Sequence, residues 1–549
     1  MKEKNQISGH GLGIMKYAIM ILGFMTLGSA EKVGLIDRIH LVPQPQKIVY
    51  AIKNIAFPTR ISIIGIDSSV AGQKALAQTL AGILGRMEGI VYAFQNAYPY
   101  TITFKKEKSI KHLEGYSLVS EENGIAIRYS TDAGAYYAAQ TLYQLLAYSY
   151  SGVNVLAFNQ EPAEEGAPTK KYFPLLTIED SPAYAVRSVM IDMGRAPFSI
   201  PLIKRVIRIM AHLKLNTLHL HLFDDQLMGF KFKNLPLGSE NPAAITAGQL
   251  KEIVSYARSY HVSVMPEIES WGHVASIIYH YPKLLGAPGM YGGSSFAIGE
   301  KTFDLLGKIY DEIIPCLEET TAIHVGLDEA VWTLAPGEEN KGLTPTVMVK
   351  RIYDILMTLG AKHKKQIIMH LWADHGGRPL PKEIGKKVVI EPWKYRQTDE
   401  PKIIAALQQY GGKDKTPLMM GAGASSVHYN GTYEATRFWC REGLKYPNVL
   451  GVTICIWETN DIAGKLITMY GGACAAWSPN TLERTDDDPI GERARNMADR
   501  EMRKWQIIFP DANPDQINAD RGPEAYQGRY VWPPRAGVPV APTALPTPQ

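Results

Sequence analysis

The chain has 549 residues, of which 46% are hydrophobic and 20% are charged. This composition is typical of a soluble globular protein, and the length predicts two or three domains rather than one. The formal net charge of +4 is small for this length, which argues against a nucleic-acid partner that would need a broad basic surface.

The N-terminus has the layout of a secretory signal peptide. An apolar run covers residues 17–27, and it is preceded by the basic residues Lys2, Lys4 and Lys16. Small residues follow it as far as Ala30. The run is much shorter than the ~20 residues that span a bilayer, so a cleaved signal is favoured over a membrane anchor. We therefore expect residues 1–30 to be removed and the mature protein to be secreted or periplasmic, with no membrane partner.

Residues 31–170 predict a small α+β accessory domain that ends in a linker. Strand-like alternation of apolar and polar residues occurs over residues 116–119 and 124–128, and a helical run follows over residues 134–146. The stretch 160–171 is polar and rich in Glu, Ala, Gly and Pro, which is typical of a loop.

Residues 171–480 alternate apolar strand-like runs with amphipathic helical runs. The predicted strands cover residues 189–193, 217–222, 262–268, 322–327, 367–371, 388–391, 418–421 and 450–456. Predicted helices between them include residues 202–213, 247–260, 303–317, 347–360 and 433–443. Eight strands with interleaved helices predict an α/β protein with a (β/α)₈ TIM-barrel catalytic domain. A doubly wound open sheet is the alternative, but no Gly-rich phosphate loop follows the first strand.

Beyond the barrel, residues 481–530 predict a C-terminal helical extension, and the Pro-rich residues 531–549 predict a flexible tail. The four cysteines fit no metal-binding spacing, so buried free thiols are expected. They are Cys316, Cys440, Cys455 and Cys474.

Barrel enzymes carry their active sites at the C-terminal ends of the strands, and here those ends collect carboxylates, aromatic rings, one Arg and one His. In strand order they are Asp192 and Arg195; Asp224 and Asp225; Glu267, Glu269 and His273; Asp328 and Glu329; Trp372 and Asp374; Glu391, Trp393 and Tyr395; and Trp457 and Glu458. Any one of these alone is more often a helix cap or a core residue. Together they predict a sugar site, because indole faces stack on sugar C–H faces and carboxylates bind hydroxyls.

The pair Asp328-Glu329 is the sharpest element of this set. Consecutive strand residues point to opposite faces, so both carboxylates can serve one pocket only where the strand ends and bends. Two neighbouring carboxylates in a partly dry pocket repel each other, so we expect one of them to stay protonated to a higher pH, as a general acid requires.

Six motifs occur in chain order at residues 41–47, 134–142, 187–195, 214–226, 266–273 and 324–329. Together they resemble glycoside hydrolase family 20, the β-N-acetylhexosaminidases. The segments around Trp271-Gly-His273 and residues 391–395 look nearer to the divergent hexosaminidase D-like branch of this family.

The resemblance implies an exo-acting enzyme that removes terminal non-reducing β-linked GlcNAc or GalNAc by substrate-assisted, retaining catalysis. Asp328 would stabilise the acetamido group as it attacks the anomeric carbon, and Glu329 would be the acid and base. No cofactor and no metal are implied. The implied substrate-binding residues are Arg195, Asp224, His273, Trp372, Trp393, Tyr395, Tyr429, Trp457 and Glu458.

The chain departs from the family pattern at several positions. Gly326-Leu327 stands where the family usually has Gly-Gly, and the usual Tyr-Leu-Asp of the seventh strand is missing. Tyr395 and Tyr429 are therefore both candidates for binding the acetamido oxygen.

Three alternatives remain open from the sequence. A metal-dependent hydrolase could use His219 and His221, although their place before the end of the second strand favours structural histidines. The others are a lacto-N-biosidase of the same family and a non-catalytic glycan-binding barrel.

Overall fold

The computed structural model of the protein describes residues 41–151, 172–288, 294–374, 380–425, 433–479 and 502–521. The predicted signal peptide, the 160–171 linker, Tyr429 and the Pro-rich tail lie outside these residues. Within the described ranges, no helix has both the length and the apolar character needed to cross a membrane.

The N-terminal part of the chain forms a seven-stranded mixed sheet with two helices. Its elements are β1 (Lys47–Ala56), β2 (Arg60–Ile64), α1 (Ala71–Leu84), β3 (Val91–Ala93), β4 (Tyr100–Lys106), β5 (Tyr116–Glu121), β6 (Gly124–Tyr129), α2 (Asp132–Ser151) and β7 (Tyr172–Asp180). The strand order is β1-β7-β5-β6-β4-β2-β3. Alternate residues of β5 and β6, such as Leu118 and Ile125, are buried against α2, which is the period of two that the sequence predicted.

The second part of the chain supplies twelve more strands among the described residues. They are β8 (Val186–Asp192), β9 (Thr217–His221), β10 (Phe230–Lys231), β11 (Ile245–Thr246), β12 (Ser263–Glu267), β13 (Leu285–Pro288), β14 (Ser294–Phe296), β15 (Thr320–His324), β16 (Gln366–Trp372), β17 (Val388–Glu391), β18 (Leu418–Ser425) and β19 (Val449–Ile456). Eight of them close into a barrel in the order β12-β15-β16-β17-β18-β19-β8-β9, while β10–β11 and β13–β14 form two small ladders.

Helices surround the barrel. In chain order they are α3 (Ile200–His212), α4 (Ala247–Ser259), α5 (Ala275–Ile278), α6 (Glu300–Ile313), α7 (Pro345–His363), α8 (Glu400–Tyr410), α9 (Tyr433–Gly443), α10 (Ile462–Trp477), α11 (residues 502–508) and α12 (Pro514–Asp520). The predicted (β/α)₈ barrel with a preceding α+β sheet is thus confirmed, and all eight predicted strands are present. The four cysteines are buried free thiols, as expected.

The centre of the barrel is polar and is organised by one buried carboxylate. The parallel registers place Glu267 level with His221 on one side and with His324 on the other. Glu267 Oε2 lies 2.6 Å from His221 Nδ1, and Glu267 Oε1 accepts a hydrogen bond of 2.7 Å from Trp372 Nε1. His219 Nε2 and His324 Nδ1 each lie 3.0 Å from the same carboxylate.

A buried ion pair joins the first sheet to the barrel. Lys214 Nζ lies 3.1 Å from Asp180 Oδ2, and both side chains are fully buried. Trp477 Nε1 and the backbone N–H of Gln46 donate to Asp180 Oδ1, and the Tyr116 hydroxyl donates to Asp180 Oδ2. Asp180 therefore connects the end of β7 to the start of β9 and to the last barrel helix.

The C-terminal segment of residues 502–521 packs at the junction between the sheet and the barrel. The Phe509 ring stacks on His212 of α3 with ring centroids 3.9 Å apart, and Tyr143 of α2 donates a hydrogen bond to the Ile508 carbonyl. Helix α12 packs against α3 and α10. The segment thus contacts both parts of the fold.

The buried ion pair predicts a large asymmetry between two adjacent acidic residues. Asp180→Ala would leave the Lys214 charge buried and unpaired, which should lower the free energy of unfolding by ~3–5 kcal/mol. Glu179→Ala removes a partner of Lys47 from a pair in which both side chains are 59% exposed and should change stability little. Urea unfolding of both variants measures the difference, and equal losses would contradict it.

Candidate active site

The fourth barrel strand ends in a left-handed turn that carries two carboxylates. Strand β15 stops at His324, three residues before the predicted end, because Gly326 and Leu327 have φ angles of 66° and 80°. Glu329 follows with φ of 49°. This bend brings Asp328 Oδ2 to 3.5 Å and Glu329 Oε2 to 3.4 Å from the same atom, His273 Nε2. The two carboxylates therefore face one pocket, and the strand ends and bends here, as the sequence analysis expected of such a pair.

Gly326 is required at its position by close contact as well as by conformation. A Cβ atom there would lie 2.0 Å from Glu269 Oε2, so the Glu269 carboxyl group packs directly on the glycine. Leu327, by contrast, occupies a left-handed position that the family pattern gives to glycine, at a typical cost of about 1–2 kcal/mol. Its side chain is fully buried, and this burial offsets the backbone strain.

His273 lies between two pairs of carboxylates at the end of the third strand. Its Nδ1 is 3.5 Å from Asp224 Oδ1 and 3.4 Å from Asp225 Oδ2, and its Nε2 faces Asp328 and Glu329. Burial lowers the pKa of His273, but Asp224 and Asp328 outweigh burial and raise the pKa well above its usual value. His273 therefore links the second-strand acids to the fourth-strand acids, in surroundings that favour its protonated form.

Arg195 and Asp224 form a rigid polar corner on the other side of the mouth. Arg195 Nη2 lies 2.6 Å from Asp224 Oδ2, and Arg195 Nη1 donates a 3.0 Å hydrogen bond to Asp192 Oδ2. His221 Nε2 is 2.9 Å from Asp224 Oδ2. Burial raises the pKa of Asp224, but Arg195 and His273 outweigh it and hold the pKa below the usual value. Asp192 also accepts a hydrogen bond from the backbone N–H of Glu458, which fixes the eighth-strand loop beside Arg195.

An aromatic wall completes the mouth. Trp393 and Tyr395 stack with ring centroids 5.3 Å apart, and Trp372 and Trp457 lie 6.0 Å apart. Trp457 Nε1 donates a 3.2 Å hydrogen bond to the Tyr395 hydroxyl. These rings form an apolar cluster of their own, apart from the main core. Tyr395, one of the two tyrosine candidates, lies in this cluster; Tyr429 lies outside the described residues.

Asp374 belongs to the site, although the sequence analysis predicted only its position at a strand end and no role for it. Its Oδ1 accepts a hydrogen bond from Trp393 Nε1, and its Oδ2 accepts one of 3.4 Å from the backbone N–H of Glu329. It thus connects the aromatic wall to the carboxylate pair. Glu269, beneath Gly326, was likewise placed at a strand end without a role. Only the pattern of strand-end acids signalled either residue.

The raised pKa expected for one of the adjacent carboxyls falls on Asp328, which the family resemblance assigns to stabilising the acetamido group and not to the role of general acid. Burial raises the pKa of Asp328 to about 7; His273 opposes this shift, while Asp374 and Glu329 add to it. Burial and the nearby Asp328 also raise the pKa of Glu269 well above its usual range. Asp328 Oδ1 is buried and has no hydrogen-bond partner among the described residues, so it can accept a hydrogen bond from a ligand.

Several groups of these side chains lie close enough together to surround a cation, including His219, Glu267 and His324. In this group the Glu267 oxygens already contact imidazole nitrogens at hydrogen-bond distance. Burial raises the pKa of Glu267, but His221, His324 and His219 outweigh it and hold the pKa well below the usual value. This pairing favours the interpretation of His219 and His221 as structural histidines.

Comparison with known proteins agrees with this geometry. The family description "Glycosyl hydrolase family 20, catalytic domain" matches residues 184–411, and "Glycosyl hydrolase family 20, domain 2" matches residues 38–181. The chain therefore belongs to glycosyl hydrolase family 20.

Its fold is similar to that of a Vibrio harveyi exo β-N-acetylglucosaminidase solved in complex with N-acetylglucosamine, with a TM-score of 0.64 and 20% identity over 85% of this chain and 77% of that one. A Bacteroides fragilis β-N-acetylhexosaminidase is similar with a TM-score of 0.62 and 20% identity over 84% and 95%.

Curated relatives show the same family at modest identity. A beta-hexosaminidase of Porphyromonas gingivalis is 31% identical over 241 residues, which is 39% of this chain and 29% of that protein. A beta-hexosaminidase subunit beta of Entamoeba histolytica is 31% identical over 236 residues, covering 40% and 39%. The chain thus spans well under half of the length of these relatives.

The contact under Gly326 predicts a position-specific cost. Gly326→Ala must displace the Glu269 carboxyl or the turn, at a cost of about 1–3 kcal/mol or more on top of the left-handed strain. Gly337→Ala is the matched control, since Gly337 has φ of 84° but open space around its Cβ position. Thermal unfolding should therefore show a larger loss for Gly326→Ala, and adding Glu269→Ala should recover much of it. Equal losses at the two glycines would contradict the contact.

Proposed function

We propose that the protein is an exo-acting β-N-acetylhexosaminidase that removes terminal non-reducing β-linked GlcNAc or GalNAc from glycans. The observation that carries the proposal is the pair Asp328 and Glu329 on one left-handed turn, facing the same pocket between an aromatic wall and the Arg195–Asp224 corner. The names of the curated relatives and of the solved structures support it. The enzyme would meet its glycan outside the cytoplasm, since residues 1–30 have the layout of a secretory signal.

In the substrate complex, fixed polar groups would hold the sugar and aromatic rings would enclose it. Arg195, Asp224 and Glu458 would bind ring hydroxyls, because charged hydrogen bonds in a rigid frame orient a sugar strongly. The walls would be Trp372, Trp393 and Trp457. The Tyr395 hydroxyl would donate a hydrogen bond to the acetamido oxygen, with Tyr429 the other candidate.

The first chemical step would use the substrate's own acetamido group as the nucleophile. The acetamido oxygen forms a bond to the anomeric carbon while the glycosidic C–O bond breaks, and Glu329 gives its proton to the departing oxygen. The product is a cyclic oxazolinium cation. The Asp328 carboxylate accepts a hydrogen bond from the acetamido N–H and balances the positive charge. Asp374, bonded to the Glu329 backbone N–H and to Trp393, would keep the acid aligned.

The second step would restore the enzyme. The Glu329 carboxylate takes a proton from water as the water oxygen bonds to the anomeric carbon, and the bond to the acetamido oxygen breaks. Two displacements at the same carbon leave the β configuration retained. His273, which lies between Asp224 and Asp328, would keep the second-strand and fourth-strand acids in place in both steps.

The proposal predicts that the acetamido group is essential in the substrate. The protein should hydrolyse 4-nitrophenyl β-GlcNAc or its galacto epimer and barely touch the plain β-glucoside. Glu329→Gln should lower turnover of a natural glycan by ~10²–10⁴-fold and lower turnover of nitrophenyl substrates less, since that leaving group needs little protonation. Glu339→Gln, an exposed acid on the same loop, is the control and should keep wild-type rates.

Other outcomes of this assay separate the alternatives. Turnover only of an aryl β-lacto-N-bioside would indicate a lacto-N-biosidase. Glycan binding without turnover would indicate a non-catalytic barrel, and loss of turnover with a chelator would indicate a metal-dependent hydrolase.

The pKa of Asp328 predicts the pH dependence. Catalysis needs the ionised carboxylate, so kcat/KM should rise with pH through about 7, the pKa to which burial raises Asp328 in the free protein. Asp374→Asn removes a negative neighbour that raises the Asp328 pKa, so the rise of kcat/KM should occur at lower pH. Glu339→Gln, the control, should leave the pH of this rise unchanged. If the rise of kcat/KM in Asp374→Asn occurs at the wild-type pH or at a higher pH, the assignment of this pKa to Asp328 is contradicted.

A further inference from the structure

The last described residue of the C-terminal segment reaches the loops that form the sugar-binding corner. Helix α12 packs against α3 and α10 and ends at Asp520. The next residue, Arg521, donates hydrogen bonds of 3.2 Å from Nε and 2.8 Å from Nη2 to the side-chain oxygen of Asn460. Asn460 lies in the loop after β19, 61 residues away in sequence.

Asn460 in turn joins two active-site loops. Its amide nitrogen donates a 2.7 Å hydrogen bond to the Pro197 carbonyl in the loop after β8, and its side chain is buried. Pro197 lies two residues after Arg195, and Asn460 lies two residues after Glu458. One buried amide therefore connects the C-terminal segment to both loops that present these groups.

The loop after β19 needs such support. Glu458 has φ of 61°, a left-handed conformation that a residue with a side chain keeps only when its surroundings enforce it. On one side, the backbone N–H of Glu458 donates to Asp192 Oδ2, the atom that also binds Arg195. On the other side, the Asn460 side chain ties the loop to the rest of the fold, and its oxygen accepts hydrogen bonds from Arg521.

We propose that Arg521 is a positioning residue of the active site. It acts through Asn460 to hold the loops after β8 and β19 at the spacing that lets Arg195 and Glu458 bind one sugar ring. The C-terminal segment thereby completes the sugar-hydroxyl site from outside the barrel. This inference rests on the proposed function, since it assigns Arg195 and Glu458 to substrate binding.

Other contacts of the same segment are anchors of a different kind. Asp511 pairs with Arg205 and Arg208 of α3 at 3.1 Å and 2.8 Å. These contacts attach the segment to the barrel but reach neither active-site loop. Asp511→Asn is therefore the matched control, because it weakens the attachment of the segment and leaves the Arg521–Asn460–Pro197 connection in place.

The test compares KM, kcat and thermal stability for wild type, Arg521→Gln, Arg521→Lys, Asn460→Ala, the Arg521→Gln/Asn460→Ala double variant and Asp511→Asn. KM for 4-nitrophenyl β-GlcNAc does not depend on the fraction of folded enzyme. Arg521→Gln should raise KM about 5-fold or more, as expected for the loss of a charged hydrogen bond, and should change kcat less. Arg521→Lys should recover part of the loss. The double variant should lie close to Asn460→Ala alone, since the hydrogen bonds of Arg521 go to Asn460 and its ion pair with Asp461, at 3.9 Å, is weak.

Asp511→Asn should lower the unfolding temperature and leave KM at the wild-type value. The inference is overturned if Arg521→Gln has wild-type KM, if Asp511→Asn raises KM equally, or if the effects of Arg521→Gln and Asn460→Ala add. Wild-type enzyme that does not hydrolyse the substrate would instead refute the proposed function, so the two failures are distinguishable.

Discussion

The site depends on one buried carboxylate at the centre of the barrel. Glu267 is fully buried, and such a charge is stable only when hydrogen-bond donors satisfy it. His221 and Trp372 do so at 2.6 Å and 2.7 Å, with further imidazoles close by. The same contacts orient the site, because His221 uses its other nitrogen to hold Asp224, and Trp372 is a wall of the mouth. Asp224 then holds Arg195. The positions of Asp224, Arg195 and Trp372, the groups proposed to bind the sugar, thus follow from the hydrogen bonds that satisfy the Glu267 charge.

The carboxyl groups at the mouth of the barrel fall into two groups, whose pKa values are shifted in opposite directions. Asp224 contacts Arg195 and His273, which hold its pKa below the usual value, while burial raises the pKa of Asp328 to about 7 and that of Glu269 well above its usual range. Environments that push carboxyl pKa values apart are typical of acid–base sites. An acid poised near neutrality suits the proposed role of Asp328, since a cation forming beside it favours the ionised form.

The fold could be predicted from the sequence because its signals are local. Apolar runs of four to eight residues marked all eight barrel strands, and strand ends marked the positions of Arg195, Asp224, His273 and the Asp328-Glu329 pair. Local signals also explain an error: the predicted helix 303–317 ends at Ile313, because Pro315 turns the next residues into a tighter 3₁₀ turn. The role of Asp374, the left-handed Leu327 and the contact of Arg521 with Asn460 depend on neighbours far away in sequence, for which no local pattern exists.

In the proposed mechanism, the substrate's acetamido group, rather than a protein carboxylate, bonds to the anomeric carbon. Mass spectrometry of the protein treated with a 2-fluoro glycoside, followed by peptide mapping, tests this most directly. Substrate-assisted catalysis predicts an unmodified protein, together with tight binding of a thiazoline that mimics the oxazolinium ion. A glycosyl ester on the peptide that contains Asp328 would contradict the claim and would indicate an ordinary retaining glycosidase.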